Sequence, residues 1–419
     1  MTLDPPSRAQ AVWIVASASI MMAMTAPAQT VAVSVFVDPM IDGLRISRSQ
    51  ISGAYLVGTL AGAAVLPWVG RLIDRIGVRR ASLFAALLFG FLLVLMSGVT
   101  GLVTLTLGFA GIRLLGQGSL SLASTTSVAL WFERRRGLAI GITTAVGAAG
   151  ISLAPLAISA LIRGTDWRFT WVVLGGTAWA VLLPVAWFLR DAPRSGSPSL
   201  TADLRDNPAD SPAASGWTRA EAMRTLMFWS IAAAVGTTAM VTTGIAFHQI
   251  SLLGERGLSV TEAAVNFLPQ TAAAIVVSFG MGALVDRFAP RLLIVVAMAF
   301  LGGALVLAQV ARPGLLAIAF GVAAGSSAGA LKALEAAIVP RFFGLEHVGS
   351  IRGTILALQV GASAYGPTLL AFGFERSGSY GPVLSVLLAL PIAVSILILF
   401  ARVPDAAMLR HIRSLRPGG

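Results

Sequence analysis

Twelve stretches of about 20 mostly apolar residues, separated by polar segments, dominate this sequence. A helix of that length crosses the roughly 30 Å hydrocarbon core of a bilayer. Charged residues make up only 11% of the chain, against about 25% in soluble domains, so the polar surface that water requires is missing. The sequence predicts an all-α membrane protein. Its spans are expected at 11–37, 50–69, 81–98, 101–129, 138–162, 168–189, 225–249, 260–281, 292–310, 314–340, 351–374 and 381–401.

Positive charge is distributed unevenly between the segments that connect these spans. Of the 30 Lys and Arg residues, 21 fall on the side that carries both termini, 7 fall on the opposite side, and Arg113 and Lys332 lie within spans. Cytoplasmic segments carry the positive excess in membrane proteins. We therefore expect a cytoplasmic-membrane protein with both termini in the cytoplasm. This topology explains the net charge of +12, and no nucleic-acid partner is predicted.

Composition also argues against metal and enzyme sites. The chain has no cysteine, which excludes disulfides, thiolate ligands and iron–sulfur clusters. Its histidines, His248, His347 and His411, are too far apart to form a metal-binding motif. Membrane enzymes use paired acids, phosphate-binding clusters or a Ser/His or Asp/Asp pair within spans, and the sequence shows none of these. No enzyme activity, metal or cofactor is predicted.

The two halves of the chain resemble each other. Six predicted spans lie on each side of a polar, proline-containing stretch, 191–224, that is expected to be a cytoplasmic linker. At an offset of 212, Gly70, Leu72, Asp74, Arg75 and Arg79 coincide with Gly282, Leu284, Asp286, Arg287 and Arg291. Duplicated bundles are typical of transporters, in which two halves rock about a site at the midplane. We expect pseudo-symmetric six-helix bundles at 1–190 and 225–402, followed by a cytoplasmic tail at 403–419.

The segment after the second span reads G-R-L-I-D-R-I-G-V-R-R and resembles the major facilitator superfamily pattern G-x-x-x-D-R-x-G-x-R-R/K. With the twelve spans and the central linker, the resemblance covers the whole chain. It implies two six-helix bundles that enclose a solute cavity. It also implies that Asp74 faces the start of the eleventh helix when the cavity opens outward. The gating motif that the resemblance implies consists of Gly70, Asp74, Arg75, Gly77, Arg79 and Arg80, with Asp286 and Arg287 in the second copy.

A second stretch of sequence indicates which class of solute to expect. Residues 131–141, followed by Gly147, Gly150 and Pro155, resemble the start of helix 5 in monocarboxylate and oxalate/formate porters, which implies a monocarboxylate-like anion moved with protons. The eighth span lacks the cation that those porters place there, so their anion-binding residues cannot be transferred. Drug/proton antiporters carry a Gly-Pro pair in helix 5, whereas four residues separate Gly150 from Pro155. A drug or metabolite efflux antiporter and a non-transporting sensor remain alternatives.

Three ionisable residues fall within spans, where charge is costly and usually functional. Arg113 begins a segment similar to the superfamily's R-x-x-Q-G motif, with one extra residue before Gln117. Its guanidinium either binds a solute carboxylate or makes a structural contact in the N-terminal bundle. Lys332, the only lysine, shares a helix face with Glu335. One alternative is that this pair couples a proton to the anion, with Glu335 as the proton carrier. The other is that the two opposite charges pair near a span end only to lower the free-energy cost of burying each of them.

Neutral polar residues within spans complete the candidate binding site. They are Gln29, Thr30, Asn266, Gln270 and Gln359. Gln29 and Thr30 follow Pro27, which frees a backbone carbonyl and favours a kink that lines a cavity. Each of these side chains serves either solute binding or a hydrogen bond between helices. The expected partners are the lipid bilayer, a small anionic solute and protons.

Overall fold

The structure is a computed structural model that describes residues 8–132, 136–189, 216–285, 287–344, 346–405 and 408–409, without the side chains of Arg8, Asp74 and Arg136. The described residues are helical, with no strand among them. Eleven helices in this part of the chain are long and apolar enough to cross a membrane. Asp286, most of the predicted linker and most of the predicted tail lie outside the described residues.

Residues 8–189, the N-half, contain six spans. Their helices are α1 (Arg8–Ala23), α2 (Thr30–Leu44), α3 (Arg48–Ile76), α4 (Val78–Met96), α5 (Leu102–Ile112), α6 (Ser121–Trp131), α7 (Arg136–Gly164) and α8 (Trp167–Phe188). Helices α1 and α2 share the first span and are joined by a 3-10 turn at Ala26–Ala28. Helices α5 and α6 share the fourth span and are joined by a π-helical segment at Arg113–Leu120.

Residues 216–409, the C-half, contain six further spans. Their helices are α9 (Arg219–Ala222), α10 (Leu226–Gly254), α11 (Val260–Val265), α12 (Phe267–Leu284), α13 (Pro290–Val310), α14 (Leu315–Phe343), α15 (Val348–Ser377), α16 (Gly381–Leu387) and α17 (Ala389–Phe400). The pairs α11 with α12 and α16 with α17 each share a span. The two six-helix halves confirm the predicted fold class.

The fourth span is the predicted span that is absent from the eleven apolar helices long enough to cross a membrane. Its middle is π-helical, and Ser119 Oγ donates to the carbonyl of Leu114, five residues earlier, at 2.8 Å. A π-helical turn holds one more residue than an α-helical turn usually does and often marks a functional site. The extra residue before Gln117 in the R-x-x-Q-G motif falls in this segment, so the widened turn accommodates it without ending the span.

Polar residues in the connections fix where several spans begin. Ser47 and Gln50 form a capping box at the start of α3, and Ser259 and Glu262 form another at the start of α11. The Asp166 carboxylate accepts the backbone N–H of Phe169 at the start of α8, at 2.8 Å. Each of these caps satisfies N–H groups that a helix start leaves free.

The predicted gating loop is almost entirely helical. Its first residues form the last turns of α3, its last residues form the first turn of α4, and Gly77 alone separates the two helices. Gly77 has φ 87 and ψ 158, a left-handed φ that glycine adopts at no steric cost. The Arg79 guanidinium lies 5.2 Å from the ring centre of Trp187 in α8. A single residue with positive φ therefore makes the entire connection.

The described hydrogen bonds between the halves lie at one end of the molecule, which we call the closed end. Ser49, at the start of α3, donates its backbone N–H and its hydroxyl to Glu375 of α15, at 2.7 and 2.5 Å. Thr368 Oγ1 donates to the carbonyl of Ser52 at 3.2 Å. At the same end, the Arg163 guanidinium donates to Thr261 Oγ1. These contacts hold α3 and α7 of the N-half against α11 and α15 of the C-half.

The opposite, or open, end contains the other ends of the same helices. Arg71, Arg75 and Arg80 are exposed there. A Cβ placed on Gly141 of α7 or Gly353 of α15 would meet no other heavy atom within 4 Å. The described hydrogen bonds between the halves thus lie at the closed end, whereas these two glycines at the open end have no close neighbour.

Candidate solute-binding cavity between the halves

A cavity of about 290 Å³ lies between the halves. The N-half supplies four lining residues, Gln29, Thr30, Val31 and Ile151. The C-half supplies the polar residues Thr242, Thr243, Gln270 and Thr271 together with mostly apolar residues of α10, α12, α13 and α14. Among the described residues, those that line the cavity include no charged side chain. The volume is at the lower end of the range for small-molecule sites, which fits a small solute.

The break in the first span forms the polar part of the N-half wall. Pro27 lies in the 3-10 turn Ala26–Ala28, and because proline has no N–H it interrupts the helix. Gln29 is extended, with φ −85 and ψ 147, before α2 begins. Its Nε2 donates to Thr25 Oγ1 at 3.0 Å. The expected kink is present, and Gln29 and Thr30 lie on the cavity wall.

A connected set of amides lies behind the C-half wall. Gln270 Nε2 donates to Gln249 Oε1 at 2.8 Å and to Asn266 Oδ1 at 3.1 Å. Asn266 Nδ2 donates to the carbonyl of Ala317 at 2.6 Å, and Gln249 Nε2 donates to that of Ala263 at 3.1 Å. Of the two predicted residues in this span, Gln270 lines the cavity, whereas Asn266 is buried behind it.

Arg113 lies directly behind the N-half wall and is 7% exposed. Its Nη1 donates to the carbonyl of Ala28 at 3.3 Å, and its guanidinium lies 5.0 Å from the ring centre of Tyr55. The Tyr55 hydroxyl lies 2.6 Å from Thr30 Oγ1, which lines the cavity. Within the described part of the chain, no carboxylate forms an ion pair with Arg113. The arrangement leaves one buried positive charge next to the cavity.

Lys332 and Glu335 lie on α14 outside the cavity wall. Their spacing predicts a contact between them, but Glu335 is bound instead by Arg352 of α15, at 2.9 and 3.0 Å. The planar guanidinium matches the two carboxylate oxygens with two parallel N–H groups, which a lysine ammonium cannot do. Lys332 is exposed.

The other predicted residues lie farther from the cavity. Gln359 is half-buried in α15 and is not among the lining residues. The described members of the gating motif lie at the open end, at the junction of α3 and α4 and after α12. They are Gly70, Arg75, Gly77, Arg79, Arg80 and Arg287. The side chain of Asp74 and the whole of Asp286 lie outside the description.

The sequence did not identify Thr242, Thr243 and Thr271 of the cavity wall, or Gln249 behind it. A threonine in an apolar helix gives no distinct signal because it often bonds its own helix, as Thr242 Oγ1 does to the carbonyl of Thr238 at 2.7 Å. Thr243 and Thr271 lie on the same wall. The only signal in the sequence is position, since Thr271 directly follows Gln270, and Thr242 and Thr243 lie about two helical turns before Gln249.

His248 of α10 is a further buried polar residue, located at the closed end. Its Nε2 lies 2.9 Å from the carbonyl of Pro367 and 3.4 Å from Ser52 Oγ of the N-half. The ring of Tyr380, which precedes α16, lies 5.5 Å away. Burial raises the pKa of Tyr380 to about 12, so this neighbour is neutral at physiological pH. His248 therefore contributes a buried polar contact between the halves.

Two six-helix halves around a central cavity agree with a family model described as Major Facilitator Superfamily, which matches residues 13–367. The chain belongs to the Major Facilitator Superfamily. It is a multi-pass membrane protein whose family and fold are those of transporters. The structure of this superfamily member is similar to that of a bacterial homolog of the human lysosomal transporter Spinster in an inward-facing, occupied conformation. The TM-score is 0.66 with 17% identity, over 98% of both chains.

A second solved structure, the nucleoside transporter NupG with a D323A substitution, has a TM-score of 0.74 and 12% identity, over 92% of this chain and 99% of that chain. Both structures show the fold alone. Curated relatives of this superfamily member include the uncharacterized MFS-type transporter YcxA of Bacillus subtilis, 30% identical over 158 residues. The probable sulfoacetate transporter SauU of Cupriavidus necator is 24% identical over 162 residues. These matches cover 36% and 38% of this chain, and 38% and 37% of the relatives.

Proposed function

We propose that this protein moves a small, monocarboxylate-like organic anion across the membrane by alternating access, coupled to protons. The observation that carries the proposal is the buried guanidinium of Arg113, which lies directly behind the cavity wall without a carboxylate partner among the described residues. A relative named as a probable sulfoacetate transporter also supports an anionic solute.

Arg113 acts across the wall, since Tyr55 and the backbone of Ala28 lie between its guanidinium and the solute. A buried charge without a counterion is unfavourable by on the order of several kcal/mol, and a bound anion offsets part of that cost. With an effective dielectric constant of about 20, charges several ångströms apart interact by on the order of 2 kcal/mol. Such an energy corresponds to at least tenfold in affinity.

A matched pair of substitutions separates the charge of Arg113 from its hydrogen bond. Arg113→Gln keeps a donor for the carbonyl of Ala28 but removes the charge, whereas Arg113→Lys keeps the charge. We expect Arg113→Gln to lose about tenfold in anion affinity and Arg113→Lys to lose less. Counterflow in proteoliposomes across a panel of carboxylates measures this difference. Anion affinity that is unchanged in a folded Arg113→Gln variant contradicts the proposal.

We assign the coupled proton to Glu335, with exposed Lys332 contacting the anion as it enters. Protonation of Glu335 removes the charge that Arg352 binds, so it links proton uptake to rearrangement between α14 and α15. A pH-sensitive dye trapped in the vesicles should report acidification in step with uptake. Glu335→Gln should abolish acidification while solute exchange continues. A flat dye trace during robust uptake by the wild type eliminates proton linkage.

The apolar part of the cavity wall favours a second candidate function, efflux of a drug or lipophilic metabolite. Ile245, Phe267 and Leu301 line the cavity beside its polar residues, and apolar walls with a few polar groups suit such ligands. The same counterflow panel distinguishes the candidates, because drug exchange without carboxylate exchange selects efflux. No accelerated exchange of any solute would indicate a non-transporting sensor.

We further propose that the protein lies in the cytoplasmic membrane with both termini and the open end on the cytoplasmic side. The exposed arginines of the α3–α4 junction support this orientation, as does the excess of 21 over 7 basic residues. The chain contains no cysteine, so Arg80→Cys supplies a single thiol. A membrane-impermeant thiol reagent should leave this thiol unlabelled in intact cells and should label it after the cells are permeabilised.

A further inference from the structure

We propose that Gln270 selects solutes that carry a hydroxyl or amino hydrogen-bond donor beside their acidic group. The inference rests on the proposed transport of a small anion and adds the second group that the anion must have. It follows from the amide hydrogen bonds behind the C-half wall, which determine the atom of Gln270 that faces the cavity.

The orientation of these amides is set by two backbone carbonyl oxygens, which only accept hydrogen bonds. Asn266 Nδ2 lies 2.6 Å from the carbonyl oxygen of Ala317, and Gln249 Nε2 lies 3.1 Å from that of Ala263. Both amide side chains are buried, with 4% and 0% exposure. Each is therefore held with its nitrogen on the backbone and its oxygen toward Gln270.

Gln270 must meet these two oxygens with its amide nitrogen. Its Nε2 lies 2.8 Å from Gln249 Oε1 and 3.1 Å from Asn266 Oδ1, so both N–H hydrogens are used. A rotated amide would bring three acceptor oxygens together. Gln270 Oε1 is left as the free polar atom of a side chain that lines the cavity, with no hydrogen bond in the described part of the chain.

The backbone of Gln270 is held equally closely. A Cβ on Gly325 of α14 would lie 1.9 Å from the Gln270 carbonyl oxygen, so only glycine permits this approach between α12 and α14. Because both the backbone and the amide are fixed, the acceptor is positioned before any solute arrives. Preorganisation of this kind avoids an ordering cost on binding.

Gln29 places a similar acceptor on the N-half wall. Thr25 Oγ1 donates its hydrogen to the carbonyl of Met22 at 2.7 Å, so it accepts from Gln29 Nε2 at 3.0 Å. The hydroxyls of Thr243 and Thr271 supply donors for an acidic group on the C-half wall. A solute without a donor leaves Gln270 Oε1 unpaired when the cavity closes. A binding site built to hydrogen-bond a solute hydroxyl strongly rejects the same solute without that hydroxyl.

Pairs of acids that differ in one hydroxyl test the proposal. Titration calorimetry on the purified protein should show that glycolate binds at least tenfold more tightly than acetate, and lactate more tightly than propionate by a similar factor. Tenfold corresponds to about 1.4 kcal/mol. Gln270→Leu should reduce both ratios to about twofold by weakening the hydroxy acids alone.

Two further variants separate selection from folding. Gln309→Leu in α13 makes the same change outside the cavity wall and should retain the tenfold ratio. Gln249→Met, behind the wall, should reduce the ratio because Gln270 then loses one of the two hydrogen bonds that orient its amide. Thermal unfolding of each variant confirms that it is folded.

Equal binding of the paired acids by the wild type, or an unchanged ratio in Gln270→Leu, overturns the inference. Failure of the anion proposal has a different signature, in which no acid binds but a neutral pair, ribose and 2-deoxyribose, does. The Gln270→Leu ratio for that pair then decides the role of Gln270. Binding of none of these compounds overturns both proposals.

Discussion

At the scale of single residues, Tyr55 connects the buried charge to the cavity and to the other half. Its ring lies 5.0 Å from the Arg113 guanidinium and 4.6 Å from the ring of Phe247 in the C-half. Its hydroxyl lies 2.6 Å from Thr30 on the cavity wall. Its ring and its hydroxyl therefore have separable roles.

Two substitutions of Tyr55 should differ in their effect on stability. Tyr55→Phe keeps the ring contact with Arg113 and removes one hydrogen bond, so it should lower the free energy of unfolding by about 1 kcal/mol. Tyr55→Leu also removes the cation–π contact, which contributes about 2 kcal/mol when desolvated, and should cost more. Thermal unfolding in detergent measures both. Equal losses would show that the ring contact with Arg113 has no stabilising role.

At the scale of helices, α12 and α14 approach each other unusually closely. A Cβ on Gly329 would lie 2.1 Å from the carbonyl oxygen of Ala274, so the two backbones touch without a side chain between them. Small residues permit such contact between membrane helices. The same approach holds Gln270 against Gly325, so helix packing also determines the shape of the cavity.

Gly329→Ala should therefore destabilise the protein although alanine is the better helix former. The added methyl group meets a backbone atom that cannot rotate away, and overpacking of this kind costs about 1–3 kcal/mol. Gly303→Ala in α13 is the matched control, because a Cβ there meets nothing within 4 Å. It should leave the unfolding temperature unchanged or slightly higher. Similar unfolding temperatures for the two variants would contradict the close packing.

The sequence predicts spans and kinks better than it predicts partners. Apolar length alone gave the twelve spans, and Pro27 gave the kink that places Gln29 and Thr30 on the wall. In contrast, the spacing of Lys332 and Glu335 describes one helix, and the residue that binds Glu335 is Arg352 of the next helix. Contacts between helices depend on tertiary packing, and the residue spacing within a single helix does not predict how that helix packs against its neighbours. For the same reason, the sequence could not separate buried Asn266 from Gln270 on the wall.

At the scale of the whole molecule, the halves are joined through Glu375 at the closed end. This carboxylate accepts the backbone N–H and hydroxyl of Ser49 in the first turn of α3, where the helix dipole favours negative charge. Hydrogen bonds to charged groups contribute about 1.5–3 kcal/mol each. Opening this end requires that both bonds break.

Glu375→Gln should shift the protein toward opening at this end. Ser52→Cys provides the only thiol in the chain, at a buried position between the halves. We expect Glu375→Gln to increase the rate of thiol labelling about tenfold, because the lost charge weakens both bonds by about 1.4 kcal/mol or more. Glu262→Gln is the control, since Glu262 caps its own helix within the C-half. Equal labelling rates in the two variants would show that Glu375 does not hold the closed end.

The one-residue connection at Gly77 restricts any movement of α3 relative to α4. A single residue cannot absorb the displacement of one helix past another, so any swing of α3 at the open end carries α4 with it. Arg79 extends that linkage to α8 through its contact with Trp187. Three of the six spans are therefore linked at the open end, so in the proposed transport cycle a relative motion is expected at the interface between the halves rather than among α3, α4 and α8.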